Sequence, residues 1–217
     1  MPGLKKKASE PGRARGRPKL EEVSAIDNQV LGVALKEFVK HGYGATSMSK
    51  IVRAAKISKT TLYSRFSSKD QLFRAIVYQQ IDQFAASASL GLRIGRLDLK
   101  RGLKSYANRI LEVTLEGDFL AVNRLIYSES HRFPELGSAA ADRNTMGIKQ
   151  IGEFIQKCAA ADRMPCKDPY GVAEVFISML RGWYVNTMLT NEQVQPAARE
   201  QWVDRAVRTL ILDRRNW

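Results

Sequence analysis

Cysteine and histidine are scarce: two cysteines, Cys158 and Cys166, and two histidines, His41 and His131, in 217 residues, with neither histidine near either cysteine. Structural metal sites gather Cys and His at short, regular spacing, so no metal centre of that kind can be written, and the two thiols read as ordinary thiols of a reducing compartment. Long apolar runs are missing too. The most apolar stretch, Gly171 to Leu189, is interrupted by Glu174 and Arg181, which argues against a membrane span. The start, MPGLKKKASEPGRARGRPKL, is basic but has no apolar run behind it, so it is not read as a secretory signal, and a cytoplasmic protein is expected. There is no Gly-x-Ser-x-Gly, no phosphate-cradling glycine loop and no Cys/His pair at useful spacing. Neither an enzyme nor a cofactor is therefore expected. Convincing period-2 alternation is absent as well, which leaves an all-α fold.

Acidic residues are the minority, 22 against 35 basic, for a formal charge of +13. The excess is segregated: residues 1 to 78 hold 16 basic and 6 acidic side chains, and the remainder holds 19 and 16. A uniform excess serves solubility, whereas a concentrated one marks a surface for a polyanion. The N-terminal third is the candidate nucleic-acid surface.

Residues 1 to 22 are rich in Lys, Arg, Gly and Pro with few large apolar side chains, and they cannot bury enough surface to fold alone. They read as a flexible basic arm. From Ile26 to about His41, Leu31, Ala34, Leu35, Phe38 and Val39 form a helical apolar stripe, which Gly42 and Gly44 end. Thr46, Ser47 and Ser49 offer cap hydroxyls to a short helix with Met48, Ile51, Val52 and Ala55 inside. After a break at Lys56-Ile57, Ser58 can cap a third helix, and a fourth begins near Lys69-Asp70 and runs past Ile81. Two short helices joined by a tight turn behind a longer one are the parts of a helix-turn-helix, whose second short helix enters the major groove. Leu62 and Phe66 should then face inward with Ile51 and Ile57, and Lys59, Thr60, Thr61, Tyr63 and Ser64 outward.

Residues 43 to 73, YGATSMSKIVRAAKISKTTLYSRFSSKDQLF, resemble the DNA-binding signature of TetR-type regulators: a Tyr-Gly turn, a Thr before the second helix, Ser-Lys-x-x-Leu-Tyr-x-x-Phe in the reading helix, and a Lys soon after. Thr60 stands where glycine is frequent in that family. The resemblance implies that Tyr63 and Lys69 hold phosphates and that Thr46 and Ser47 add contacts at the start of the second helix. Lys59, Thr60 and Thr61 are the expected readers of base edges, since the first part of a reading helix points into the groove. Arg65 is read either as a phosphate contact or as simply solvent-exposed. In the arm, Arg15-Gly16-Arg17-Pro18-Lys19 resembles the core of an AT-hook. Arg15 and Arg17 would either enter a narrow minor groove or lend non-specific attraction.

Beyond residue 79 the helical stripes continue with balanced charge. Ile148, Ile151, Ile155, Cys158 and Ala159 form one, Val172, Val175, Phe176, Met179 and Trp183 another, and Trp202, Val203, Ala206, Val207, Leu210 and Ile211 a third. The family resemblance implies that the last two long helices, Gly171 to Leu189 and Ala197 to Leu212, form a four-helix interface in a homodimer. Residues 124 to 136, RLIYSESHRFPEL, are similar to a segment of one branch of TetR-type C-terminal domains. In such domains a mainly apolar cavity takes a small molecule, and Arg124, Tyr127, His131, Phe154 and Trp183 are its candidate liners here. The expected organisation is an arm (1–22), a three-helix helix-turn-helix domain (23–78) and a larger helical ligand-binding and dimerisation domain (79–217). The expected function is a repressor that binds double-stranded DNA at a palindromic operator and is released by an unknown small-molecule effector. An architectural DNA-binding protein without ligand control is the alternative.

Overall fold

The computed structural model describes residues 20–88, 98–190 and 193–217, with side chains for 25–83, 98–190 and 193–217. Arg15 and Arg17 lie outside the described residues, and so does the AT-hook-like motif. Every described element is helical. Helix α1 (Leu20–Ala45) begins ahead of Ile26, because nothing between Leu20 and Ala25 stops a helix. Gly42 interrupts it at φ 75°, ψ 164°, a conformation that glycine adopts without a Cβ clash. Helix α2 (Met48–Ala55) starts at Ser47, whose hydroxyl accepts from the Lys50 N–H, and stops at Lys56, left-handed at φ 54°. Helix α3 (Lys59–Tyr63) starts at Ser58, whose Oγ accepts from the Thr61 N–H at 2.9 Å. Both caps satisfy amides that a helix start leaves without partners.

The longer helices follow: α4 (Lys69–Ala88), α5 (Leu99–Leu115), α6 (Gly117–Glu129), α7 (Pro134–Asp162), α8 (Pro169–Thr190) and α9 (Pro196–Leu212). Three of them open with proline, which loses nothing in a first turn whose N–H has no acceptor. Asp98 caps α5 by accepting from the Arg101 N–H at 2.9 Å. Among the described residues no helix is long and apolar enough to cross a membrane, and no group of three or more His, Cys, Asp or Glu is gathered to hold a metal ion.

Two cores result. In the first, Leu31, Leu35 and Phe38 of α1, Ile51 of α2, Leu62 of α3 and Leu72, Phe73 and Ile76 of α4 pack with Val122, Leu125 and Ile126 of α6 and with Phe133 and Leu136 around the start of α7. The second joins α5, α7, α8 and α9 through Leu103, Leu111, Ile151, Ile155, Phe176, Leu180 and Val207. The first core therefore runs across residue 78 and ties the N-terminal helices to α6 and α7. On α8 the buried line is Ala173, Phe176, Ile177, Leu180, Thr187 and Met188. This corrects the expected stripe by part of a turn: Val175 is exposed, because α8 is apolar nearly all round and its own periodicity does not choose a face.

Candidate functional site

The N-terminal site is a polar ridge on an apolar platform. Leu62 is fully buried and Phe66 nearly so, which fixes the rotation of α3 and turns Lys59, Thr60, Tyr63 and Ser64 to solvent, with Tyr63 49% exposed. Thr61 is half-buried, its hydroxyl 2.8 Å from Ser58 Oγ within the cap. Ser47 is exposed at the start of α2. Arg53 and Lys56 are also exposed, at the end of α2 beside the turn. Both lie outside the reading helix, and their charge next to the turn marks them.

Three expected DNA contacts also have partners within the fold. Thr46 is 1% exposed, and its hydroxyl donates back to the carbonyls of Gly42 (2.8 Å) and Glu37 (3.1 Å), so it closes the end of α1. Lys69 donates to the carbonyls of Tyr43 (2.8 Å) and Thr46 (2.9 Å) and lies 4.3 Å from the Tyr43 ring centroid. Its ammonium caps the C-terminal carbonyls of α1, where positive charge is favourable. Arg65 turns back to pair with Asp27 of α1, leaving 14% of its side chain exposed. A sequence shows which residues are cationic, but the carbonyls that claim them appear only when α1 and α4 converge.

The C-terminal site is a cavity of about 270 Å³ among α5, α6, α7 and α8. Each helix contributes a face repeating every three to four residues, the spacing at which helical side chains share one side: Tyr106, Ile110 and Thr114 from α5; Asn123, Ile126 and Tyr127 from α6; Ala140, Arg143, Asn144 and Gly147 from α7; Ile177, Leu180, Arg181 and Tyr184 from α8. A Cβ on Gly147 would come within 2.8 Å of the Tyr106 hydroxyl, so this glycine sets how closely α7 approaches α5. Tyr127 and Tyr184 bring their hydroxyls to 3.4 Å, and Arg143 donates to Asn123 Oδ1 at 3.5 Å. Burial pushes the Tyr106 phenol up to about 12. Burial, then the hydrogen bond to Tyr127, raises that of Tyr184. Burial also lowers the Arg143 guanidinium from its ordinary value, while hydrogen bonding to Tyr127 raises that of Arg181.

Of the five expected liners, the structure places Tyr127 at the cavity. Arg124 and His131 are exposed, because the inward face of α6 is 123, 126, 127 and 130, about a third of a turn from the one expected, and His131 lies past the helix end. Phe154 is buried in the second core, and Trp183 stacks on Trp202 with centroids 4.8 Å apart. The missed residues, Arg143 and Tyr184 above all, lie on long helices whose phase depends on three neighbours.

An aromatic junction joins α1 and α4 to the start of α7. The Tyr43 and Phe73 rings lie 5.0 Å apart, and each meets Phe133, at 5.3 and 5.2 Å. Around them Tyr43 donates to Asp70, Arg132 lies 4.8 Å from the Tyr43 ring, and Arg74 Nε bonds Glu135 Oε1 at 2.6 Å. That bond, first among several causes, holds the Glu135 carboxyl below its ordinary value. Ile126 belongs to this first core and also lines the cavity.

Known proteins share this architecture. The model for bacterial regulatory proteins of the tetR family matches residues 30–76, and that for the C-terminal domain of AefR-like transcriptional repressors matches residues 101–212. The HTH-type transcriptional repressor ComR of Escherichia coli K12 is 29% identical over 178 residues, 80% of this chain and 83% of that protein. A structure described as a TetR-family transcriptional regulator of Mesorhizobium loti MAFF303099 superposes with a TM-score of 0.70 at 25% identity, covering 87% of this chain and 96% of that one. The flavonoid-responsive regulator FrrA superposes with a TM-score of 0.65 at 27% identity and the same coverage. With a helix-turn-helix at its N-terminus and a family-specific helical domain behind it, the chain belongs to the TetR family of transcriptional regulators.

Proposed function

We propose that this regulator is a homodimeric repressor that a small molecule, held in the α5–α8 cavity, releases from a palindromic operator. One observation carries the reading: Ile126 packs in the core beneath α3 and also faces the cavity. A ligand pressing on α6 therefore acts on the platform that aims the reading helix. Lys59, Thr60 and Thr61 read base edges, and Tyr63, Ser64 and Ser47 hold phosphates. Arg15 and Arg17 add attraction from the arm. ComR is named a repressor and FrrA a flavonoid-responsive regulator, in keeping with ligand-controlled repression.

The dimer is supported by α8. Its outward line of Val175, Ser178, Gly182, Asn186 and Leu189 is exposed and uncharged, and nothing lies within 4 Å of a Cβ on Gly182, so a second helix can approach closely there. Gly182→Arg should yield a monomer by light scattering. Pairing across α8 and α9 would set two reading helices at the roughly 34–36 Å spacing of successive major grooves. Selection from a random DNA pool should return an inverted repeat, and a motif without symmetry would refute the dimeric reader. Affinity for an effector must fall when operator is bound, by the same factor that the effector weakens DNA. Equal affinities by calorimetry with and without operator would remove the release mechanism.

A further inference from the structure

The cavity carries charge of one sign. Arg143 and Arg181 line it, and no Asp, Glu or His is among its described lining residues. Tyr106 and Tyr184 add no negative charge, since burial favours the neutral phenol at both. The wall also holds the neutral polar Thr114, Asn123, Ser130 and Asn144, and an apolar part made chiefly by Ile110, Leu111, Ile126, Ile177 and Leu180.

Resting on the reading of this cavity as the effector site, we propose that the effector is a small monocarboxylate with an apolar body. The carboxylate lies against Arg143, with Tyr184 and Asn144 on the same cavity wall, and the body lies over the isoleucine and leucine side chains. Three physical points support this class. A guanidinium shielded from water gains most from a carboxylate, which it can meet with two parallel N–H bonds. Burial already lowers the Arg143 guanidinium, as withdrawal of water from a cation requires. A cationic ligand would face two like charges, one of them half-buried at Arg143, and is disfavoured. Size is compatible, since about 270 Å³ has room for a single ring or a short chain.

The test uses the full chain without DNA. Benzoate, 3-phenylpropanoate and octanoate are each titrated calorimetrically beside the amide and the amine of the same skeleton. At least one carboxylate should bind with a Kd tenfold or more below that of its amide, and no amine should bind more tightly than its amide. Arg143→Gln should abolish the preference and Arg143→Lys should keep part of it, with the fold checked by circular dichroism. If Arg143→Gln does not fold, Arg181→Gln on the exposed side of the cavity should reduce the preference. The proposal is overturned if an amide or amine equals its carboxylate, if no carboxylate binds at millimolar concentration, or if a folded Arg143→Gln keeps the preference. A carboxylate that binds as described yet leaves DNA affinity unchanged keeps this inference and removes the release mechanism. Release of DNA by a neutral cavity ligand that outbinds every carboxylate does the reverse.

Discussion

Polar side chains face solvent around α3 and face inward around the cavity, and the two regions respond to substitution in different ways. On α3 the exposed groups contribute little to folding, because water already satisfies them. Their worth appears only when DNA replaces that water. In the cavity the polar groups, Arg181 apart, are partly or wholly withdrawn from water before any ligand arrives, so their placement is bound up with stability. Between them, the aromatic junction lies in the core that also holds Ile126 of the cavity wall.

The largest expected effect lies at that junction. Phe73 is fully buried against Phe38, Tyr43 and Phe133, and Phe73→Ala should cost about 3–5 kcal/mol by denaturant unfolding. DNA binding should be lost with it, whereas retention of both would show that the junction is not shared. Next comes the cavity. Gly147→Val places a branched side chain against the Tyr106 hydroxyl, a strain of about 1–3 kcal/mol, and should close the site to ligands while the protein still binds DNA. On α3 the pattern reverses. Tyr63→Ala should change folding stability by no more than about 0.5 kcal/mol, yet reduce the slope of log affinity against log salt by about 0.9 if a phosphate contact is lost. Thr60→Ala should leave stability alone and change the preferred sequence.

The smallest effect is electrostatic. Glu135 has a folded-state pKa held below its ordinary value of 4.5, chiefly by the hydrogen bond from Arg74. The contribution of this pair is therefore fully present above that value and is lost as pH falls through the depressed one. Glu135→Gln should lower stability slightly at neutral pH, and that difference should vanish as pH falls through the depressed value. Both side chains are exposed, and such pairs are worth little. An unchanged acid limb would detach Glu135 from the junction.

The N-terminal helices were legible because their signals are local. Ser47 and Ser58 cap helices where hydroxyl-bearing residues precede an apolar stripe, Gly42 breaks α1, and Leu62 with Phe66 sets the inward face of α3. Lys69 and Arg65 were less legible, since the Tyr43 and Thr46 carbonyls and the Asp27 carboxylate that hold them are 23 to 38 residues away in sequence. On α6 the choice of Arg124 and His131 over Asn123 and Ser130 shows the same limit. One residue of phase separates a cavity wall from the solvent.

Sequence by itself determined the all-helical fold, the basic N-terminal third, the positions of the two short helices and which face of α3 is polar. Each follows from periodicity, capping or charge within a few turns of chain. Only the tertiary structure decided that Arg143 and Tyr184 share a cavity, that Thr46, Arg65 and Lys69 serve the fold, and that one core joins the reading helix to α6 and α7. Those outcomes depend on how long helices rotate against one another, and that rotation is set by close packing among residues that the chain brings together from far apart.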